Sequence, residues 1–512
     1  MWANFRDVNV DARKLQDSFL LEADLCIVGS GAAGIPLALA FDDSKISILL
    51  LEAGGFAKTD EDQDLYKGEY AGNVPSLDGD YLTYSRLRYF GGTTNHWGGY
   101  CRPLETIDFE KRDWVPHSGW PFTKAELNPY YRQASKFLDL GRFDQENPDS
   151  GDEQLPDIFS DELFQGKVYR FRALRFGPVH RERLDRSRNI RLVHHANVVE
   201  IITNETGRTV ERLRIETLSG KRGAVRAKAF VLAMGAIENC RMLLASADQQ
   251  SHGVGNQNDL VGRYFMEHPV THTGMGPLFM WPELSTDLYQ LHGGPGRHRL
   301  QMLYLRDSQL RKRRMLTIAA ELYRAKATDL IKFEFSEFDR AIMRTSFDSD
   351  HLPSPGGGYA EPQTFHTVSM CEQEPNPESR VTLTMDRDAL GVRRVRLAWN
   401  LTGFELRTIF EFAELLRRRV SAAGWGRIKN PSDPEALLRV MSKGSHHMGT
   451  TRMHDNPKRG VVDPECRVHD IDNLYIAGSS VFPTSGAANP TFTILALALR
   501  MADHLKQRLG AS

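Results

Sequence analysis

Residues 24–34 read DLCIVGSGAAG, and a second apolar run, ISILLL at 46–51, ends directly before Glu52. The first run is typical of a short buried strand, the glycine-rich turn after it opens a helix, and the second run is again typical of a strand. Glu52 lies 18 residues beyond Gly34, close to the spacing at which a carboxylate accepts hydrogen bonds from a ribose. The pattern therefore predicts a strand-helix-strand unit that binds a dinucleotide.

Three glycines of this turn have the spacing that lets the backbone approach a pyrophosphate at the start of a helix, namely Gly29, Gly31 and Gly34. The absence of a side chain permits both the tight turn and the close contact between helix and strand. We therefore expect these three residues and Glu52 to bind the cofactor.

The composition is that of an ordinary globular protein of several domains. The chain has 512 residues, of which 41% are hydrophobic and 26% are charged, and its formal net charge is −1. At roughly 100–200 residues per domain, this length predicts two to four structural units. Because acidic and basic residues balance, the charge expected of a nucleic-acid-binding protein is missing, and we expect no such partner.

Targeting signals are also missing from the sequence. No run of about 18 apolar residues predicts a membrane span, and the first residues lack the pattern of a signal peptide. The five cysteines are scattered and odd in number, which favours a reducing compartment. We expect a cytoplasmic protein without a transmembrane segment.

Strand patterns recur outside the first unit and divide the chain into three parts. Apolar runs predict strands at 190–193, 196–202, 212–217, 227–234 and 473–478, and a helix at 491–507. The stretch between 265 and 435 is richer in charged and aromatic residues, with strands predicted at 380–383 and 395–399 and a helix at 403–422. The predicted parts are a first cofactor-binding segment with insertions from the substrate domain, a substrate-binding domain and a C-terminal cofactor-binding segment, at 1–264, 265–435 and 436–512.

Several further stretches occur in the order typical of one enzyme family. They are GSGAAG at 29–34, LLEAGG at 50–55, GGTTNHWGG at 91–99, AxVxxI at 196–201, MGAIEN at 234–239, SHHMGTTRM at 445–453 and NLYIAGSSVFPTSGAANPTFT at 473–493. Through them the chain resembles the glucose-methanol-choline (GMC) oxidoreductases. Within that family it looks most like the branch of pyranose oxidases and of gluconate or fructose dehydrogenase flavoprotein subunits.

The resemblance implies an α/β fold with a Rossmann-like FAD-binding domain, discontinuous in sequence, and an α+β substrate domain built on a β-sheet. It also implies FAD as the cofactor. By match to the family's blocks, further FAD-binding residues would be Gly91, Gly92, Asn95, His96, Val198, Gly478, Pro490 and Thr491. His96 falls where several relatives attach FAD covalently through a histidine, and the alternative is an unbonded histidine packed beside the flavin.

The resemblance also implies the catalytic pair. Members of the family use one histidine in an HxxGT block and a second histidine or asparagine about forty residues later. Here these positions are His446 and Asn489, which are 43 positions apart. A histidine is suited to take the O–H proton of an alcohol, and the amide of Asn489 can donate to the developing alkoxide.

Other histidines close to His446 allow alternative interpretations. His447 is expected to point away and to pack or bond to backbone. A metal site formed by His446, His447 and His454 has no ligand spacing that supports it, so we predict no metal. His268 is interpreted as an ordinary residue or as one that lines the substrate side.

The implied reaction is oxidation of a hydroxyl of a sugar, glycoside or cyclitol to a carbonyl. Polar residues of the middle segment, such as Arg340, Arg344, Gln363 and His366, are of the kind that such a substrate needs. Three alternatives stay open: a flavoprotein subunit of a membrane-associated sugar dehydrogenase, an oxidase of an apolar alcohol, and a non-catalytic FAD-binding protein. The electron acceptor, O₂ or a quinone or electron-transfer protein, and the oligomeric state are also open.

Overall fold

The computed structural model describes residues 8–510, except 75–76, 78–79, 142–156, 282, 295–296, 325–362, 429–436 and 439–440. Two residues of the polar middle segment, Arg340 and Arg344, lie outside the described residues. Among the helices that are described, none combines the length and the apolar character needed to cross a bilayer.

The strands are, in chain order, β1 (Asn9–Asp11), β2 (Phe19–Val28), β3 (Ile48–Leu51), β4 (Gly68–Tyr70), β5 (Tyr100–Cys101), β6 (Phe164–Phe171), β7 (Ile190–His194), β8 (Asn197–Thr203), β9 (Val210–Glu216), β10 (Arg222–Leu232), β11 (Pro269–Met280), β12 (His292–Gly294), β13 (Arg297–Leu305), β14 (Ile318–Arg324), β15 (Gln363–Cys371), β16 (Arg380–Arg387), β17 (Arg393–Ala398), β18 (Gly426–Ile428), β19 (Met441–Lys443) and β20 (Leu474–Ile476). The helices are α1 (Gly34–Leu39), α2 (Asp60–Asp64), α3 (Tyr81–Tyr84), α4 (Thr106–Phe109), α5 (Lys124–Phe137), α6 (Phe176–Arg186), α7 (Ala236–Ala245), α8 (Asp307–Arg313), α9 (Phe404–Ala422) and α10 (Thr491–Leu509).

The first sheet has the strand order β1-β7-β3-β2-β10-β9-β8, and β20 pairs with the far end of β10. All pairs from β1 to β10 and the pair with β20 are parallel, while β9 is antiparallel to its neighbours β10 and β8. The predicted strand-helix-strand unit is β2, α1 and β3. Since β20 is close to the C-terminus, both ends of the chain contribute to this sheet.

The second sheet is antiparallel, with the order β18-β11-β15-β14-β13-β6-β5, and β12 and β19 pair with β13 and β11. Its strands come from all three predicted parts of the chain, because β5 and β6 precede residue 264 and β19 follows residue 435. The helix α9 contacts β11, β14 and β15 of this sheet. The division at 264 and 435 stays a prediction.

Two strands predicted for the substrate domain lie outside the second sheet. The stretches 380–383 and 395–399 are strands as expected, but β16 and β17 pair with each other and with β4 in a separate three-stranded sheet. This sheet packs against α7 of the cofactor-binding part. A strand pattern predicts extended backbone, whereas the choice of sheet depends on distant partners.

The helices α5 and α10 pack against each other, and α10 begins at the cofactor-binding side. Thr123 and Glu126 form a capping box at the start of α5. The Tyr131 hydroxyl of α5 lies 2.8 Å from the Thr493 hydroxyl of α10, and the Tyr131 ring stacks on Phe492. These buried contacts hold the first turn of α10, which faces the site.

Candidate active site

A long cleft runs along the carboxyl ends of β2 and β3 and continues to the start of α10. We call it the cofactor cleft. Its walls come from the turn before α1, the loop at 85–100, the start of β8, the turn before α7, and residues 444–447, 477–479 and 489–494. This is the edge of a parallel sheet at which nucleotide cofactors bind.

The turn between β2 and α1 is shaped by close backbone contacts. A Cβ atom at Gly34 would lie 1.8 Å from the carbonyl oxygen of Gly29, so α1 can approach β2 only with glycine there. A Cβ at Gly31 would have no protein atom within 4 Å. Gly34 therefore serves the contact between helix and strand, and Gly31 leaves open space at the cleft.

Glu52 ends β3 and lies in the cleft. Its carboxylate accepts hydrogen bonds from the Ser30 hydroxyl at 2.5 Å and from the Gly54 backbone amide at 2.9 Å. Burial raises the pKa of Glu52, while these donors lower it. The two hydrogen bonds fix the carboxyl group in the cleft, where it would accept from a ribose.

The cleft fits FAD on observations of this chain alone. Open space at Gly31 adjoins the first turn of α1, whose backbone N–H groups are suited to a pyrophosphate. At the other end of the cleft, the buried Oδ1 atom of Asn489 has no hydrogen-bond partner among the described residues. Glu52 would bind the ribose, and Asn489 would face the reacting end of the flavin.

Most of the predicted site residues line this cleft. They are Gly29, Gly31, Glu52, Gly92, His96, Val198, His446, Gly478, Asn489, Pro490 and Thr491. Three others lie behind its surface: Gly34 against Gly29, Gly91 with its amide bonded to the Ser30 carbonyl, and Asn95. The Asn95 side chain donates to the Phe90 carbonyl at 2.9 Å, so it shapes the loop, and its contact with the cofactor stays a prediction.

The predicted catalytic pair is assembled at one end of the cleft. His446 Nε2 and Asn489 Nδ2 are 3.2 Å apart. On the other side of the ring, His446 Nδ1 is 2.9 Å from Nδ1 of His268, whose Nε2 is 2.8 Å from the Gly486 carbonyl oxygen. Burial lowers the pKa of His446 well below its ordinary value, so the ring is neutral and able to accept a proton.

The buried carboxyl group of Glu267 binds the backbones of both His268 and His446. Glu267 Oε1 accepts from the backbone amides of His268 at 2.8 Å and His446 at 2.7 Å, and Oε2 accepts from the Tyr81 hydroxyl at 2.5 Å. Burial raises the pKa of Glu267 to about 7. The residue was not singled out in the sequence, where it is one acidic residue beside a histidine.

His447 behaves differently from its neighbour, though it also lines the cleft. Its Nε2 atom is 2.8 Å from the Tyr81 hydroxyl, and its backbone carbonyl accepts from Ser479. Since the Tyr81 proton is directed to Glu267, His447 donates to the tyrosine oxygen. The side chain thus points away from His446, as expected, although its fixed hydrogen bond is to a tyrosine hydroxyl and not to backbone.

The cleft also contains a buried cluster of charged side chains that the sequence did not predict. Glu238 of α7 forms ion pairs with Arg86 at 2.8 Å, Arg241 at 3.2 Å and Arg88 at 3.5 Å. Burial alone would raise the pKa of Glu238, but the arginine charges outweigh it and lower the pKa to about 2. Glu238 is part of the MGAIEN block, and the arginines precede the GGTTNHWGG block.

Among the described residues, no cluster of potential metal ligands includes His446. Asp11, His194 and His195 are the one set whose ligand atoms lie within 4.8 Å of one another in that part of the chain. Asp11 is already bonded to the Arg13 guanidinium. His454 instead accepts from the Asn456 amide and lies beside Asp455.

A second cavity of about 710 Å³ adjoins the cofactor cleft. Gly98 and Tyr100 line both spaces. The described wall of the cavity carries hydroxyl, carboxyl, guanidinium, amide and imidazole groups, from Tyr100, Gln290, His298, Glu321, Tyr323 and Arg324. The Tyr100 hydroxyl lies 3.3 Å from Glu321 and 3.0 Å from the Tyr323 hydroxyl.

Gln363 and His366 line neither space, although their polarity suggested a role with substrate. The Gln363 amide donates to the backbone carbonyls of Trp281 and Leu284. Polar composition of a segment therefore did not identify the residues that face the cavity.

Residues 375–498, which include His446 and Asn489, match the family model described as GMC oxidoreductase. The chain carries the C-terminal domain of the GMC oxidoreductases. The match confirms the C-terminal domain of the family named from the sequence, and with it the predictions of an oxidoreductase and of FAD as its cofactor.

Relatives of this chain match along most of its length. One is 2-methyl-1,2-propanediol dehydrogenase of Mycolicibacterium austroafricanum, 25% identical, covering 96% of this chain and 96% of the relative. Another is the fructose dehydrogenase large subunit of Gluconobacter japonicus, 24% identical over 94% of this chain and 97% of the relative. A structure of Aspergillus oryzae formate oxidase concerned with FAD modification has a TM-score of 0.57 at 18% identity, covering 96% and 99% of the two chains, which confirms the fold class.

Proposed function

We propose that the protein oxidises a hydroxyl group of a sugar, glycoside or cyclitol to a carbonyl group. The observation that carries the proposal is the pair His446 and Asn489, whose side chains meet at 3.2 Å in the cofactor cleft. A neutral imidazole and an amide donor side by side are the two groups that a carbinol needs, one for its proton and one for its oxygen.

The roles of the two side chains follow from their hydrogen-bonding capacity. His446 takes the hydroxyl proton at Nε2, and the Asn489 amide donates to the oxygen as negative charge develops on it. FAD, when bound, accepts the hydride from the carbinol carbon. His447 is held by Tyr81, and Glu267 keeps the backbone of His446 in place.

The substrate class rests on the second cavity and on the relatives. Each buried hydroxyl left unpaired costs about 1–3 kcal/mol, so a polyol needs several polar partners near the reacting carbon. The described wall of the second cavity offers such groups beside Tyr100, which also lines the cleft. The names of the relatives include a sugar and a diol, and both support a substrate with more than one hydroxyl group.

A covalent bond between His96 and the 8α-methyl group of FAD is a further part of the proposal. The methyl group would lose a hydrogen and the imidazole its N–H proton, and the flavin, reduced by two electrons, would be reoxidised by the electron acceptor. His96 lines the cleft, and its pKa is lowered, first by burial and then by the charge of Arg175, so that the ring is neutral and nucleophilic. Precipitation with acid should leave the flavin with the protein, and His96→Ala should release it. Release of all flavin from the unaltered protein would exclude the bond.

One relative supports a second candidate, which differs in the electron acceptor and not in the chemistry. The fructose dehydrogenase match is to a large subunit, which favours a flavoprotein that passes electrons to a partner subunit. Reoxidation of the reduced enzyme by O₂ or only by a quinone separates the two candidates.

For both candidates we propose a cytoplasmic location, which the five buried and free cysteines support.

The test is anaerobic reduction of the flavin, followed by its visible absorption, against sugars, glycosides, cyclitols, aliphatic alcohols and sterols. We expect a polyol to reduce the flavin fastest. His446→Ala should slow this step roughly 10²–10⁴-fold, the usual contribution of a positioned base, with FAD still bound. The control is His252→Ala, at an exposed position outside the cleft.

Two results would contradict the proposal in different ways. Fast reduction by a sterol, with polyols inert, would overturn the substrate class and leave the role of His446 intact. Unchanged flavin reduction in His446→Ala would overturn the assignment of the base.

A further inference from the structure

His268 lies directly behind the proposed base and has no side-chain surface in the cleft. It is fully buried, and its two ring nitrogens are both engaged, one by His446 and one by the Gly486 carbonyl. We propose that His268 is a positioning residue that fixes the tautomer of His446, leaving the lone pair of Nε2 directed at the substrate. This inference rests on the proposed role of His446.

The direction of each hydrogen bond follows from one fixed point. The Gly486 carbonyl can only accept, so Nε2 of His268 carries the proton in that contact. Burial lowers the pKa of His268 to about 4, so the ring is neutral and its Nδ1 has no proton. Nδ1 of His268 is therefore an acceptor, and Nδ1 of His446 donates to it across 2.9 Å.

The tautomer of His446 is then determined. A neutral imidazole has one N–H group, and here it is at Nδ1, so Nε2 carries the lone pair. Without substrate, Asn489 Nδ2 donates into this lone pair across 3.2 Å; a substrate hydroxyl would take that place, and the Asn489 amide would then donate to its oxygen. The opposite tautomer would place a proton at Nε2, facing the Asn489 donor, and two nitrogen lone pairs against each other between the rings.

The same contact supports the proton transfer itself. When the substrate O–H bond breaks, an Nε2–H bond forms and His446 becomes an imidazolium that still donates from Nδ1 to His268. That hydrogen bond becomes charge-assisted and hence stronger. The chain of contacts ends at the Gly486 carbonyl, which cannot take up a proton, so the transferred proton stays on His446.

Glu267 fixes the relative position of the two rings through their backbones. Its Oε1 atom accepts from both amides, at 2.8 Å from His268 and 2.7 Å from His446, although these residues are 178 positions apart in the sequence. A side chain that merely filled space behind His446 would need neither this clamp nor a bond to the Gly486 carbonyl. The arrangement is that of a base with an orienting partner.

The first test reads the tautomer without turnover. In the FAD-loaded protein labelled with ¹⁵N-histidine, the signals of His446 are those absent from His446→Ala. We expect them to report a protonated Nδ1 and an unprotonated Nε2 at neutral pH. A protonated Nε2 would overturn the proposal, and this measurement needs no variant of His268.

The second test uses a matched pair of variants at position 268. In His268→Gln the side-chain amide reaches the place of Nε2 and can keep the Gly486 bond, whereas the acceptor for His446 is lost. In His268→Asn the side-chain oxygen reaches the place of Nδ1 and can keep that acceptor. We expect flavin reduction to fall roughly 10–100-fold in His268→Gln, less than the roughly 10²–10⁴-fold contribution of the base itself, and clearly less in His268→Asn.

The outcomes separate this inference from the proposed function. If His446→Ala abolishes flavin reduction while His268→Gln retains the normal rate, the positioning role is wrong and the base assignment stands. If His446→Ala reduces its flavin normally, the proposed function fails whatever the tautomer is. Equal losses in the Gln and Asn variants, with the His446 signals unchanged, would also overturn the positioning role.

Discussion

The cofactor cleft and the second cavity have walls of different kinds. In the cleft, the turn between β2 and α1 leaves open space because Gly31 has no side chain, whereas the wall of the second cavity includes the side chains of Tyr100, Glu321 and Tyr323. The first surface is backbone shape, produced by residues close together in the chain. The second is a set of side chains from strands that lie more than two hundred positions apart, as for Tyr100 and Glu321. Cofactor recognition is thus encoded locally, and substrate recognition depends on the pairing of distant strands.

Buried carboxyl groups beside the cofactor cleft and behind the second sheet differ in their pKa values. Glu238 beside the cofactor cleft has three arginine partners, and its pKa is lowered to about 2 despite burial. Glu405 of α9, behind the second sheet, is fully buried, and burial raises its pKa to about 7. The Glu238 cluster therefore stays charged, whereas the pKa of Glu405 lies near neutral pH, as does that of Glu267 behind His446.

The largest effect is expected from a methyl group added to the turn. Gly34→Ala places a Cβ 1.8 Å from the Gly29 carbonyl oxygen, so α1 must move away from β2. We expect the free energy of unfolding to fall by at least about 3 kcal/mol. Gly31→Ala, with open space around its Cβ, should change it by less than about 1 kcal/mol and instead weaken FAD binding.

Urea unfolding of the FAD-free variants, together with their flavin content after reconstitution, measures both effects. A stable Gly34→Ala protein with full flavin content would show that the close contact is not needed. Normal FAD retention by Gly31→Ala would show that the cofactor does not approach this glycine.

The next effect concerns the buried charge behind the second sheet. Because the pKa of Glu405 is raised from an ordinary value of 4.5 to about 7, its contribution to stability is fully present below pH 4.5 and is lost as the pH rises through 7. Over that window the loss amounts to about 3 kcal/mol. Glu405→Gln should flatten the fall in the free energy of unfolding between pH 4.5 and 7.5, measured by urea titration at several pH values. An unchanged slope would contradict the assignment.

The smallest effect is expected at the second cavity. Burial raises the pKa of Glu321 to about 7, so its carboxylate is charged above that pH. Glu321→Gln keeps the shape of the side chain but removes this acceptor, so at pH 8 KM for the best polyol should rise about tenfold, the equivalent of one lost hydrogen bond to a charged group. The limiting rate of flavin reduction should change little, because Glu321 is not among the residues lining the cofactor cleft. Glu162→Gln, at an exposed position outside both spaces, is the control. A lower limiting rate with unchanged KM would show that the cavity is not the substrate site.

Much of the first sheet could be predicted from the sequence. The strands around 24–28, 46–51, 190–202 and 474–476 were identified because their signals are short-range. Most of the second sheet was not identified. Its strands β11, β13, β14 and β15 lie in a stretch where charged and aromatic residues obscure any simple alternation, and what stabilises them is pairing with each other.

The sequence by itself determined the strand-helix-strand unit, the FAD prediction and the pair His446 and Asn489, because glycine spacing and family blocks are properties of neighbouring residues and of their order. Only the tertiary structure decided what surrounds that pair. His268, with no assigned catalytic role in the sequence, comes to lie 2.9 Å from His446 across 178 positions, and Glu267 holds both backbones. The physical reason is that the proton position on a buried imidazole depends on the hydrogen-bond partner of its other nitrogen, and folding alone brings that partner into contact.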